Sequence, residues 1–158
     1  MMNLKTSSNK PSTPISKWLI GALTLVSFAG FLDAVYLTTK HYLGSPVVCS
    51  ILEGCEVVTT SQYATWFGIP VALPGAIYYL LIFLLTVAYL DAKKERFLRL
   101  AAYLSPIGFL ASLWFLYLQL FVIKALCLYC LISALTSTLV FVIGVILLVR
   151  LKKNLPIS

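Results

Sequence analysis

The sequence predicts an all-α integral membrane protein, a four-helix transmembrane bundle with an outer-face loop between helices 1 and 2. Three observations support this prediction: the composition, four long apolar stretches, and positive charges confined to the short segments around them. The chain has 158 residues, of which 61% are hydrophobic and 11% are charged. Soluble domains have about 45–50% apolar and about 25% charged residues. A soluble protein of this composition would lack a polar surface.

Four stretches are long enough for transmembrane helices, each of which needs about 20 mostly apolar residues. The predicted spans are about 18–39, 70–90, 97–122 and 125–149. Pro70 and Pro74 suit the first turn of the second helix, where no amide hydrogen is needed. Pro106 predicts a kink inside the third helix.

The positive charges predict the orientation of the bundle. Ten of the 12 Lys and Arg residues precede the first span, separate the second from the third, or follow the fourth. Lys40 and Lys124 alone fall on the other side. Cytoplasmic loops are enriched in Lys and Arg, so we expect a multi-pass plasma (inner) membrane protein with both termini in the cytoplasm. The loop from about 40 to 69 then faces the periplasmic or extracytoplasmic side.

The predicted domain organisation is one membrane domain with two cytoplasmic tails. Residues 17–150 form the membrane domain, and 151–158 form the second tail. Residues 1–16 are rich in Ser, Thr, Asn, Pro and Lys and are predicted to be disordered. The formal net charge of +7 does not predict nucleic-acid binding, because the positive residues form three separate clusters and no single basic face.

All four cysteines fall on the outer, oxidising side of this topology. Cys49 and Cys55 lie in the loop, and Cys127 and Cys130 form a C-x-x-C at the outer end of the fourth span. A helix N-terminus stabilises a thiolate, which is the reactive form of cysteine. Two dithiols on one face can exchange electrons through a mixed disulfide. We expect Gly54 to give the loop pair the backbone freedom to move.

Other interpretations of the cysteines remain open from the residues alone. All three pairings are compatible with such a relay. A structural disulfide between Cys49 and Cys55 would close a short loop and add little stability. A four-thiolate zinc site is a third interpretation, because C-x-x-C is a common half of one. The spacing of the first pair and the oxidising side disfavour zinc.

Several motifs together resemble the vitamin K epoxide reductase family. The resemblance covers about residues 18–150, nearly the whole chain. A first-helix signature contributes Asp33, the run 36–38 and His41. The outer loop and the fourth helix contribute 49–63, the Gly-Ile-Pro of 68–70, and 125–130. Disulfide-forming membrane proteins of the DsbB type place C-x-x-C in the first outer loop, so the order here disfavours them.

This resemblance implies a mechanism. Bacterial and archaeal members oxidise a thioredoxin-like partner and pass the electrons to a membrane quinone of the ubiquinone or menaquinone/phylloquinone type. By analogy, Cys49 and Cys55 are the shuttle pair, Cys55 forms the mixed disulfide with Cys127, and Cys130 is nearest the quinone. Because the chain stops soon after the fourth span, we expect a separate thioredoxin-like (DsbA-like) partner. No metal is expected.

Three further residues are candidates for the site. Ser61 matches a Ser or Thr that lies over the active site in the family. Gln119 is the one Gln or Asn within the predicted spans, and either donates to a quinone carbonyl or makes an interhelical hydrogen bond. Asp33 is the one acid within those spans. It either makes a polar contact that ties the outer loop or carries a proton.

Tyr63, Trp66 and Phe67 precede the second span. Aromatic residues are enriched at membrane interfaces, so we expect them to anchor the loop there. A short half-helix lying on the membrane as a lid fits the same residues.

The sequence therefore predicts a quinone-dependent thiol–disulfide oxidoreductase that supports disulfide bond formation. One alternative uses the same site as a reductase of quinone or quinone epoxide. Alternatives of another class are a non-catalytic membrane protein with structural cysteines and a metal-binding membrane protein.

Overall fold

A computed structural model describes residues 16–47, 49 and 54–153. Apart from Ser16, the tail predicted to be disordered lies outside these residues, as do 154–158. The helices are α1 (Lys17–Tyr42), α2 (Cys55–Thr59), α3 (Ala72–Ala92), α4 (Glu95–Tyr117) and α5 (Leu128–Lys153), and the strands are β1 (Thr65–Trp66) and β2 (Ile69–Pro70). A π-helical turn, Leu118–Ile123, continues α4.

Four of these helices are long and apolar enough to cross a membrane: α1, α3, α5, and α4 together with its π turn. Helix α1 packs against α3 and α5, and α4 packs against the same two helices. The core between them is built from aliphatic side chains, including Leu23, Ile82, Leu98, Val140 and Leu147. This arrangement confirms the predicted four-helix membrane bundle.

A buried tyrosine joins three of the helices. Tyr79 of α3 bonds to the carbonyl oxygen of Ser133 at 2.8 Å and to the hydroxyl of Thr136 at 2.9 Å, both on α5. Gly30 of α1 makes room for its ring, because a Cβ there would lie 2.5 Å from the ring. Polar contacts of this kind hold helices together in lipid, where apolar burial between helices gives no driving force.

Pro106 lies inside α4, where its ring removes the amide hydrogen that the carbonyl of Ala102 would accept. The Ser105 hydroxyl donates to that carbonyl at 2.8 Å, so the freed oxygen is satisfied. The predicted kink stays a prediction.

The bounds of two helices differ from the sequence prediction. The fourth helix begins at Leu128 and not near 125, because the π turn ends at Lys124 in a left-handed conformation (φ 55°). Residues 124–127 therefore form a connector. Helix α3 begins at Ala72, which places Pro74 in its first turn but Pro70 in β2.

The residues proposed as a half-helix form a hairpin, so that interpretation is wrong. Strands β1 and β2 are antiparallel, with Trp66 opposite Ile69. Phe67 (φ 51°) and Gly68 (φ 80°) make the turn in left-handed conformations. The Trp66 and Phe67 side chains are 74% and 94% exposed. Membrane anchoring by this tip stays a prediction, which quenching of Trp66 fluorescence by brominated lipids would test.

Candidate active site

The two cysteine pairs meet at one end of the bundle. Cys49 and Cys55 form a disulfide with a Cα–Cα distance of 6.0 Å, one of the three pairings that the sequence left open. Cys127 and Cys130 are free thiols. The sulfur atoms of Cys49, Cys55 and Cys127 all lie within 4.8 Å of one another. Small movements of the side chains would bring a thiol of one pair onto a sulfur of the other.

Close packing of the loop against the connector explains this proximity. A Cβ on Gly54 would lie 2.5 Å from the carbonyl oxygen of Leu126 and 2.8 Å from its nitrogen. Only a residue without a side chain lets α2 approach the connector this closely. The φ of Gly54, −84°, is open to any residue, so this conformation does not itself require glycine. The expectation that Gly54 gives the loop pair freedom to move stays a prediction. The close packing at the site depends on the absence of a side chain at Gly54.

The two sulfurs of the disulfide have different surroundings. Cys55 is 1% exposed, and its sulfur accepts the amide hydrogen of Leu128 at 3.3 Å. That amide belongs to the first residue of α5, where the N–H groups have no partner within the helix. Cys49 is partly exposed. Cys49 is therefore the more exposed cysteine of the disulfide, and a helix N-terminus contacts the sulfur of the other.

Cys127 caps α5 and is completely buried. Its carbonyl accepts the amide hydrogen of Leu131 at 3.0 Å, and its own amide donates to Oε1 of Gln119 at 3.0 Å. A hydrogen bond from the Cys130 thiol lowers the pKa of Cys127 from 9.0 to about 7, although burial and the charge of Asp33 oppose this. Cys127 is thereby prepared to react as a thiolate.

A cleft with a volume of about 70 Å³ adjoins the cysteines. We call it the outer cleft. Its walls come from α1, α2, the hairpin, α3, α4 and the π turn, and they are mostly apolar. Cys130 is the one cysteine that lines it, and Ser61, Gln119 and His41 are among its few polar residues.

Both predicted quinone contacts, Ser61 and Gln119, therefore line one cavity. The Ser61 hydroxyl donates to the carbonyl of Val58 at 2.8 Å, which leaves its oxygen free to accept. The side-chain carbonyl of Gln119 accepts from the amide of Cys127, so this contact joins the π turn to the connector. The interhelical hydrogen bond that the sequence suggested stays a prediction. Its Nε2 lies 3.5 Å from the carbonyl of Phe115, at the limit of a hydrogen bond.

Asp33 lies on α1 near the same end of the bundle. Its Oδ2 atom is buried and has no hydrogen-bond partner among the described residues. The polar contact expected to tie the outer loop is therefore not made by this oxygen. Its charge acts on the Cys127 thiol, so the carboxyl group lies close enough to influence the cysteines.

Sequence reasoning found the cysteines, Asp33, Ser61 and Gln119, but it missed the contacts that position them. The amide of Leu128 and the carbonyl of Leu126 are main-chain groups, which residue identity does not reveal. The sequence shows the Gly-Cys pair at 54–55, but it does not show that Gly54 packs against the backbone of Leu126.

A model of the Vitamin K epoxide reductase family matches residues 21–145. The matched residues include all four cysteines, Asp33 and Gln119. A comparison with curated proteins finds no match.

Proposed function

Since the chain belongs to the vitamin K epoxide reductase family, and is thus a membrane thiol–disulfide oxidoreductase, we propose that it oxidises a separate thioredoxin-like protein. Electrons pass through Cys49 and Cys55, then through Cys127 and Cys130, to a membrane quinone. The observation that carries this proposal is the gathering of three cysteine sulfurs within 4.8 Å. Oxidation of partner thiols on the outer side supports disulfide bond formation in exported proteins.

Electrons enter at Cys49. It is the more exposed cysteine of the disulfide, whereas Cys55 is buried. A thiolate of the partner attacks Cys49, which breaks the Cys49–Cys55 bond and releases Cys55 as a thiolate. The amide of Leu128, already 3.3 Å from that sulfur, stabilises the released charge. The second thiol of the partner then displaces Cys49, so the partner leaves as a disulfide and the loop pair holds both electrons.

The loop pair passes the electrons inward. The Cys55 thiolate attacks Cys127 in a Cys127–Cys130 disulfide and releases Cys130. Cys49 then attacks Cys55, which restores the loop disulfide and releases Cys127. The end state has a Cys49–Cys55 bond and two free thiols on the connector and α5, the arrangement described above. It is the state that precedes delivery of the electrons to the acceptor.

The lining of the outer cleft suits a quinone. Ligand pockets are mostly apolar with a few polar groups, and the cleft has such a lining with Cys130 on its wall. Its volume of about 70 Å³ is below the roughly 300–1,000 Å³ of typical ligand pockets, so a quinone ring would have to widen it. Gln119 would donate through Nε2 to one quinone oxygen, with Cys130 beside it. The Ser61 hydroxyl would donate to the other oxygen after turning away from the carbonyl of Val58. A bound quinone accepts two electrons and two protons. Oxidation of the Cys127 and Cys130 thiols releases the same number, so the step balances.

Asp33 is proposed to carry one of these protons. Buried carboxyl groups in membrane helices are costly and mark functional sites. Oδ2 of Asp33 has no partner among the described residues, which leaves it available to accept a proton from a thiol. Asp33 could then pass this proton from the thiol to the quinone.

The orientation of the bundle follows the positive-inside rule. We propose that both termini face the cytoplasm and that the active site faces the periplasmic or extracytoplasmic side. The oxidising side is where the disulfides made by this activity persist.

Trapping the partner tests the direction of electron entry. Cys55→Ser leaves Cys49 as a free thiol, which attacks the disulfide of an oxidised DsbA-like protein, breaks that bond and releases one partner thiol. No Cys55 thiol can then displace the partner from Cys49, so this mixed disulfide should accumulate. Cys49→Ser is the matched control, and it should trap far less. Equal trapping by both variants, or none by either, would contradict entry at Cys49.

A further inference from the structure

The side chain of Gln119 carries a buried amide at the end of a membrane helix. Gln119 is 3% exposed. Its side-chain carbonyl accepts from the amide of Cys127 at 3.0 Å. Its backbone carbonyl accepts the amide hydrogens of Lys124 and Ala125, the latter at 3.2 Å. One residue thus holds the connector at three points.

Gln119 lies in a π-helical turn, and this backbone conformation helps it to hold the connector. A π turn has i→i+5 bonds, is rare, and is often found at functional sites. Here it ends at Lys124 in a left-handed conformation, and the connector then leads directly into Cys127. The wider turn places residue 119 under the start of α5, eight residues further along the chain.

The amide of Cys127 needs this acceptor. The first N–H groups of a helix have no partner within the helix, and Cys127 is completely buried. In a capping box, a Glu or Gln at the third helical position accepts the amide hydrogen of the capping residue. Here α5 begins at Leu128, so the third position is occupied by Cys130 and the acceptor must come from elsewhere.

We propose that Gln119 is a positioning residue for thiol–disulfide exchange: its carbonyl fixes the backbone of Cys127, and thereby aims the Cys127 thiol between Cys55 and Cys130. This inference rests on the relay proposed above, but it concerns only the step between the two cysteine pairs. Gln119 acts through Cys127 and exchanges no electrons itself. The contact of its Nε2 with a quinone is a separate matter.

The test isolates the exchange step. A Cys49→Ser/Cys130→Ser background leaves only Cys55 and Cys127, which form the mixed disulfide in a glutathione buffer. The ratio of oxidised to reduced protein gives the effective concentration of one thiol at the other, read by intact-mass spectrometry. No quinone or protein partner is present, so the assay reports on Gln119 even if the chain turns over neither.

Three substitutions separate the acceptor from the shape of the side chain. Gln119→Met keeps the length but removes the acceptor, and should lower the effective concentration at least about tenfold, because it leaves a buried amide unpaired. Gln119→Glu keeps an oxygen in place and should stay within about threefold of the parent. Gln119→Asn keeps the chemistry but withdraws the oxygen, and should resemble Gln119→Met.

A parent-like Gln119→Met, or a Gln119→Glu that loses as much as Gln119→Met, would overturn the proposal. If Gln119→Met fails to fold in detergent, Gln119→Asn against Gln119→Glu decides it by the same criterion. Leu120→Met, on the exposed neighbouring position, is the control for substitution in this turn and should match the parent.

Discussion

Gly54 and Leu126 approach so closely that a Cβ on Gly54 would lie 2.5 Å from the carbonyl oxygen of Leu126. Because the neighbour is backbone, it cannot rotate away, and Gly54→Ala must push α2 off the connector. We predict that this change lowers the rate of exchange between Cys55 and Cys127 at least about tenfold, since a misplacement of about 1 Å between reacting groups can cost about 100-fold in rate. The rate of formation of the mixed disulfide measures it.

Gly21→Ala is the matched control for that substitution. Nothing lies within 4 Å of a Cβ at Gly21, so the added methyl group should leave the exchange rate unchanged. A Gly54→Ala variant as fast as the parent would show that the packing of the loop does not set the distance between the sulfurs.

The reactivity of Cys127 should follow pH with a midpoint well below that of an ordinary thiol. The Cys130 hydrogen bond lowers the pKa of Cys127 from 9.0 to about 7, and only the thiolate reacts. Alkylation of Cys127 should therefore rise as pH increases through about 7 and level off above it. Peptide mass spectrometry after iodoacetamide treatment measures the rate at each pH.

Cys130→Ala removes the donor and should move that midpoint upward, toward 9.0, so that alkylation near pH 7 slows. Cys130→Ser keeps a donor and should move it less. Identical midpoints in the parent and Cys130→Ala would mean that Cys130 does not activate Cys127.

Asp33→Asn tests the proposed proton carrier. The amide is nearly the same shape but cannot take up a proton, so turnover with a quinone should fall at least about tenfold. Exchange between Cys55 and Cys127 should not slow, because the charge of Asp33 raises the pKa of Cys127 and its loss favours the thiolate. Asp91→Asn, at the exposed end of α3, is the control. Unchanged turnover in Asp33→Asn would show that the Asp33 carboxyl group does not transfer a proton.

Much of the fold was predictable because the membrane simplifies the physics. Every backbone group in lipid must be satisfied within the chain, so long apolar stretches become helices and their count follows from hydropathy. The ends of the helices were less predictable. The connector before Leu128 is apolar, and nothing in its composition shows that the π turn ends at Lys124.

The site was predictable as a list of residues but not as a set of contacts. Cysteine spacing and topology placed both pairs on one side of the membrane. The hydrogen bond from Cys127 to Gln119 joins two residues by a backbone amide, and the hairpin that carries Trp66 and Phe67 consists of two-residue strands. Features of this size leave no periodic pattern in the sequence.

The most direct test of the central claim is reduction of a quinone by the protein purified in detergent, with dithiothreitol as the electron donor. The account predicts quinone reduction by the wild-type protein, its loss in Cys130→Ala, and partial retention in Cys49→Ala, because a small thiol can bypass the loop pair. No reduction of any of several quinones by the wild-type protein would contradict it, as would full activity in Cys130→Ala.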